Sequence, residues 1–261
     1  MKWFKGLLIN LQFFSTIPIP VELPMDKKHL ERAIQTFPLL GLLQGAVYSA
    51  ILFAIVEWSP FSDLAGAFAV WLAYNILTGG IHLDGWIDSS DAYFSYRDQE
   101  KRLEIMKDPR TGAFGVLSVI MLLSAKFFFI YEIAGMLHNA TYLLAIAIPF
   151  LARIVMGTLL VTVRPAKNEG LGALFNHASS KTTLWIYPLY LFGFVGILLF
   201  YGLYIGAASY FTAVIFIVMF LKKKIIEWFG GMTGDTLGAS VELTEVLLWM
   251  ILWLLHYFAM G

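Results

Sequence analysis

Seven long apolar runs constrain this chain more than any other feature. They cover about 33–58, 61–83, 113–135, 139–162, 183–206, 207–221 and 239–259. Most approach or exceed the roughly 20 residues that a helix needs to cross the hydrocarbon of a bilayer. In lipid the backbone must satisfy its own hydrogen bonds, so such runs fold as helices. Only 14% of the residues are charged and 59% are hydrophobic, with mean hydropathy +0.74. A soluble domain carries about a quarter charged residues, so a water-soluble globule of this length would leave too much apolar surface uncovered. The expected fold is all-α: a polytopic membrane bundle of about seven transmembrane helices, forming one membrane-embedded domain over residues 1–261. The sixth run is short, and its division from the fifth is placed at Gly206. Trp3 to Phe14, flanked by Lys2 and interrupted by Asn10 and Gln12, reads as an amphipathic helix in the membrane interface rather than a cleaved signal.

The charges give the orientation. Sixteen of the 18 Lys and Arg fall in segments that a seven-span chain places on one side; Lys126 and Arg153 lie within spans. Basic loops stay in the cytoplasm, which predicts a cytoplasmic N-terminus and an external C-terminus. Membrane lipid is the implied surrounding. The net charge of zero gives no sign of a nucleic-acid partner, and the lack of cysteine removes disulfides and thiolate chemistry.

Three blocks on the basic side carry the residues with chemical potential. The first, Thr78 to Asp91, holds Asp84, Asp88 and Asp91 at i, i+4 and i+7, which share one face of a helix. Three carboxylates on one face repel unless a cation neutralises them, and hard oxygen ligands suit Mg²⁺ or Mn²⁺. His82 beside them is a candidate base or a hydrogen-bonded structural residue. The second block, Lys101 to Gly115, offers Lys107 and Arg110 with Gly112 and Gly115 for phosphate oxygens, and Asp108 as a further metal ligand. The third, Gly230 to Glu245, is a glycine-rich turn leading into a span with Asp235, Glu242 and Glu245. Acids inside an apolar helix are costly without a partner. They suit either metal and sugar-hydroxyl binding or pairing with Lys126 or Arg153. Arg153 is itself a candidate substrate or carboxylate partner, and Arg164-Pro165 with Asn168 to Gly172 reads as a substrate loop.

Taken in order, Phe37-Pro38-Leu39 with Gly41, Thr78 to Asp91, Leu103 to Gly115, Arg153, Arg164-Pro165 and Gly234 to Glu245 resemble the adenosylcobinamide-GDP ribazoletransferase family, also called cobalamin synthase. The resemblance runs over nearly the whole chain. One position departs from it: Ala92 follows Asp91 where the family has glycine. The resemblance implies an enzyme of the bacterial cytoplasmic membrane. Its reaction joins adenosylcobinamide-GDP to α-ribazole or α-ribazole 5′-phosphate, releases GMP and uses Mg²⁺. It further implies Asp84, Asp88 and Asp91 on the metal, with Asp108 and Asp235 as additional ligands. Lys107, Arg110, Arg153 and Arg164 would meet the pyrophosphate, with His82 and Glu245 also on substrate. Asp84, Asp88 and Glu242 would form the catalytic group, Asp84 or Glu242 accepting the ribose hydroxyl proton. The competing readings are a CDP-alcohol phosphotransferase, against which Asp84-Gly85 lacks a following Ala-Arg, and a transporter, against which no internal repeat is visible.

Overall fold

The computed structural model describes residues 2–260. Among them it has eleven α-helices and one bridged residue pair, Pro165 with Met232. The helices are α1 (Lys2–Phe14), α2 (Lys27–Trp58), α3 (Asp63–Thr78), α4 (Ile81–Phe94), α5 (Gln99–Ile105), α6 (Ala113–Ala134), α7 (Asn139–Thr162), α8 (Leu171–Ala178), α9 (Tyr187–Phe200), α10 (Tyr204–Phe229) and α11 (Gly234–Leu255). Six helices are long and apolar enough to cross a membrane: α2, α6, α7, α9 with its preceding turn, α10 and α11. A seventh span exists if α3 and α4 are taken together. The protein is an all-α, multi-pass membrane bundle.

Two span boundaries differ from the sequence expectation. The run 61–83 is not one straight helix: α3 stops at Thr78 and α4 leaves it at 85°. Gly79 and Gly80 make that elbow with φ of 64° and 75°, left-handed conformations that glycine adopts without a Cβ penalty. The helix direction turns at the elbow, so the acids of α4 lie on a helix set at a steep angle to α3. The fifth and sixth runs divide not at Gly206 but at the turn before Tyr204, where Gly202 has φ 75°. The sixth helix is therefore 26 residues long, not short.

α7 is the centre of the bundle, buried along most of its length. α2 crosses it through Gly41 and Gly45. A Cβ at either would run into α7 backbone, at the Pro149 and Ile146 carbonyls respectively. Small residues four apart let membrane helices approach closely, where dispersion rather than a hydrophobic driving force holds them. Pro38 sits inside α2 and has no N–H to give the Ile34 carbonyl. The Tyr187 hydroxyl donates to that oxygen instead, at 2.8 Å, so the freed acceptor is not left bare in an apolar core. α1 is amphipathic as expected. Gly6, Ile9 and Asn10 are buried on α2, where Asn10 donates to the Ala33 carbonyl at 2.8 Å, while Trp3 and Phe4 face outward.

Candidate active site

The acid helix is fixed by backbone contact. Gly85 of α4 lies against the backbone of Asp235 in α11, and Gly238 lies against His82; a Cβ at Gly85 would meet the Asp235 main chain. The glycines thus bring Asp84 and Asp235 to one place. Asp235 is held in the first turn of α11 by a capping box. Thr233 Oγ1 accepts the Thr236 N–H at 3.1 Å, and Thr236 Oγ1 accepts the Thr233 N–H at 2.8 Å. The far end of α4 is pinned by Asp91, whose two oxygens accept the N–H groups of Gly112 and Gly115, each at 2.7 Å. These are orphan donors at the start of α6, and a carboxylate there also meets the positive end of the helix dipole. Ala92, the departure from the family pattern, is fully buried. Its methyl group packs in a small cluster with Met106 and Phe229.

A cavity of about 420 Å³ opens beside this crossing. Asp84, Asp235 and His82 line it together with Lys107, Lys167 and Glu169. The loop bearing Lys167 is tied down by paired backbone bonds. Ala166 N–H donates to the Met232 carbonyl and Met232 N–H to the Arg164 carbonyl, both at 2.9 Å. Lys167 Nζ donates to the Leu103 carbonyl at 2.7 Å. Burial and the charge of Lys107 lower the Lys167 ammonium from its usual range, against a smaller opposing effect of Asp235. Near Asp84 and Asp235, Asp88 is pushed up to about 7, by partial burial first and then by the charges of Asp84, Asp235 and Asp91. His82 is 3% exposed, its ring stacked on Phe14 with centroids 6.0 Å apart, and its Nε2 has no partner among the described residues.

Of the residues singled out in the sequence, His82, Asp84, Lys107 and Asp235 line the cavity, and Asp88 stands in the same acid group. The others lie elsewhere. Asp91 spends both oxygens on the α6 amides. Asp108 accepts both the Nε and Nη2 groups of Arg110, at 2.9 and 2.6 Å, and this pairing lowers its carboxyl to about 2. The Arg164 side chain is exposed, and its carbonyl serves the loop. Glu242 and Glu245 are sealed in the bundle, bonded to Lys126 Nζ at 2.6 and 2.9 Å. Of the two alternatives raised for these acids, pairing with Lys126 is the one observed. Arg153 is fully buried, donates to Gln44 at 2.9 Å, and does not line the cavity. The sequence marks Lys167 only as one more basic-side charge. Its neighbours in the Arg164–Gly172 loop were flagged, and a lysine between a proline and a Gly-x-Gly turn was the available signal. Among the described residues, no three His, Asp or Glu side chains stand close enough to hold one metal ion between them.

The family model of cobalamin-5-phosphate synthase matches residues 6–253. An adenosylcobinamide-GDP ribazoletransferase of Geobacillus sp. strain WCH70 is 37% identical over 265 residues, covering 98% of each chain. A protein of the same name from Citrobacter koseri is 39% identical over 91% of this chain and 94% of its own. Another from Acinetobacter baumannii strain ACICU is 35% identical over 92% and 93%. No solved structure matches the chain. With the family model covering nearly the whole length and relatives this similar end to end, the chain belongs to the cobalamin-5-phosphate synthase family, enzymes of cobalamin synthesis.

Proposed function

We propose that the chain transfers the adenosylcobinamide phosphate of adenosylcobinamide-GDP to α-ribazole or α-ribazole 5′-phosphate, with Mg²⁺ or Mn²⁺, and releases GMP. A ribose hydroxyl oxygen of the acceptor bonds to the phosphorus next to the cobinamide. The pyrophosphate P–O bond breaks, and GMP leaves with the bridging oxygen. The observation that carries this reading is the cavity's lining, which brings the carboxylates of Asp84 and Asp235 together with the ammonium groups of Lys107 and Lys167. A pyrophosphate needs positive charge on its oxygens, and its attacker needs a proton acceptor.

Lys107 and Lys167 are assigned to the pyrophosphate as cationic donors. Asp84, the exposed acid at the cavity, is assigned to receive the hydroxyl proton. Asp84, Asp88 and Asp235 fit a divalent cation by chemistry. They are hard oxygen donors, and among the described residues no lysine or arginine is bonded to any of them. Mg²⁺ characteristically takes one or two carboxylates and completes its shell with water and substrate phosphate, so a preformed three-residue cage is not required. When bound it would neutralise phosphate charge and align attacker and leaving group. Asp91 is assigned to positioning α4, and Glu242 no chemistry. The basic face is assigned to the cytoplasm of a bacterial cytoplasmic membrane, with the N-terminus inside and the C-terminus outside.

The deciding experiment is GMP release by the purified protein given adenosylcobinamide-GDP and α-ribazole phosphate, with Mg²⁺ or with EDTA. Release that needs both the acceptor and the metal supports the reading. A folded sample that releases nothing, or releases CMP from a CDP-alcohol donor, overturns it.

A further inference from the structure

A second cavity, of about 750 Å³, lies behind the acid helix between α4, α6, α10 and α11. It shares none of the residues of the first cavity. On α6 it reaches from Phe114 to Ala125, about 16 Å at 1.5 Å per residue. That is the depth of one leaflet of a hydrocarbon core about 30 Å thick. Its walls are almost wholly apolar, and its outer edge is formed by exposed Leu117, Met121 and Phe220, so it opens sideways toward lipid.

Two features break the apolar lining. Trp86 and Ser89 line it, their Nε1 and Oγ atoms are sealed from solvent with no hydrogen-bond partner among the described residues, and Ser89 is only 8% exposed. An unpaired donor in an apolar wall is costly, which points to an oxygen-bearing occupant. At the rim stands Lys224, its Nζ 5.1 Å from the centre of the Trp228 ring and 3.0 Å from Glu227 Oε2. A chain-length apolar slot, buried donors near its polar end and a basic rim above match the order of parts in one molecule type.

We propose that this cleft binds an anionic phospholipid of the basic-face leaflet. One acyl chain fills the slot between α6 and α10. Ester oxygens lie beside Trp86 and Ser89, whose unpaired donors turn to meet them, and the phosphate lies at Lys224. The occupied wall is the back of α4, so the lipid braces the helix whose other side carries Asp84. The site stands independently of the transfer reaction.

The test is native mass spectrometry of protein taken from vesicles of phosphatidylcholine mixed with phosphatidylglycerol. We expect one retained phosphatidylglycerol per chain. Lys224→Glu should weaken retention by more than about fivefold, the worth of one basic residue at a lipid surface, because it also adds a negative charge. Ala239→Leu, which fills the slot, should abolish it, and Lys27→Glu on α2 should leave it unchanged. Lys224→Glu lies at the rim and decides the matter even if Ala239→Leu misfolds. Equal retention of both lipids, or equal loss in the Lys27→Glu control, would reduce the cleft to ordinary annular lipid. Displacement of the retained lipid by adenosylcobinamide-GDP would instead give the cleft to the substrate. Each of these results overturns the proposal.

Discussion

Asp91 Oδ1 accepts the amide hydrogen of Gly115 at 2.7 Å, and Oδ2 takes that of Gly112 at the same distance, so the last acid of α4 is the cap of α6. Asp91→Ala strands two amides at a helix start, each worth about 1–3 kcal/mol when buried. We predict a clear fall in thermal unfolding temperature, and a smaller fall for Asp91→Asn, which keeps one acceptor. Gly115→Ala should resemble Asp91→Ala, because its Cβ would press on the same carboxylate. Wild-type unfolding of Asp91→Ala would show that the cap contributes nothing.

Asp88 gives a pH dependence with a definite sign. Its carboxyl is raised from 3.8 to about 7 in the fold, so the folded state holds the proton more tightly than the unfolded chain. The penalty for ionising it is absent below about pH 4, grows up to about pH 7 and is complete above that. In EDTA, Asp88→Asn should therefore raise the unfolding temperature at about pH 8 and leave it nearly unchanged at about pH 4. Its half-exposed position keeps the gain well below the full shift. The same variant should lose GMP release. An equal stability difference at both pH values would remove the assigned cause.

Lys126 bonds two buried glutamates. Lys126→Met leaves both unpaired in an apolar bundle, and removing one partner of a buried ion pair costs about 3–5 kcal/mol. Adding Glu242→Gln should restore part of that. Glu242→Gln alone should keep kcat per folded molecule within a few-fold. A loss of about 10²–10⁴, the size of general acid–base catalysis, would return Glu242 to the chemistry.

Lys167→Met should raise the KM for adenosylcobinamide-GDP by about tenfold or more, since a charge-assisted hydrogen bond is worth about 1.5–3 kcal/mol. Steady-state kinetics against donor concentration check it. Unchanged kcat/KM for Lys167→Met and for Lys107→Met would remove both lysines from the pyrophosphate.

The membrane class was plain from the sequence, because lipid accepts only long apolar helices and the flanking charges alternate with them. Asp84 and Asp88 were legible as a group because helical spacing alone puts them on one face. Pairings between distant segments were not legible. Nothing local to Asp91 shows that Gly112 and Gly115 complete it; for Glu242 the sequence offers Lys126 and Arg153 as alternative partners, and only the fold selects Lys126, 116 residues away. Lys167 was passed over for a similar reason: a basic loop residue looks the same whether it faces water or a cavity. The elbow was misread because two glycines inside an apolar run do not interrupt its hydropathy, only its direction.

That elbow leaves α3 with 16 residues, a straight leg of about 24 Å against a hydrocarbon layer of about 30 Å. Short spans are accommodated by thinning of the surrounding bilayer. By itself α3 is about 6 Å shorter than that layer, and only with α4 beyond the 85° elbow does it reach the length of a span.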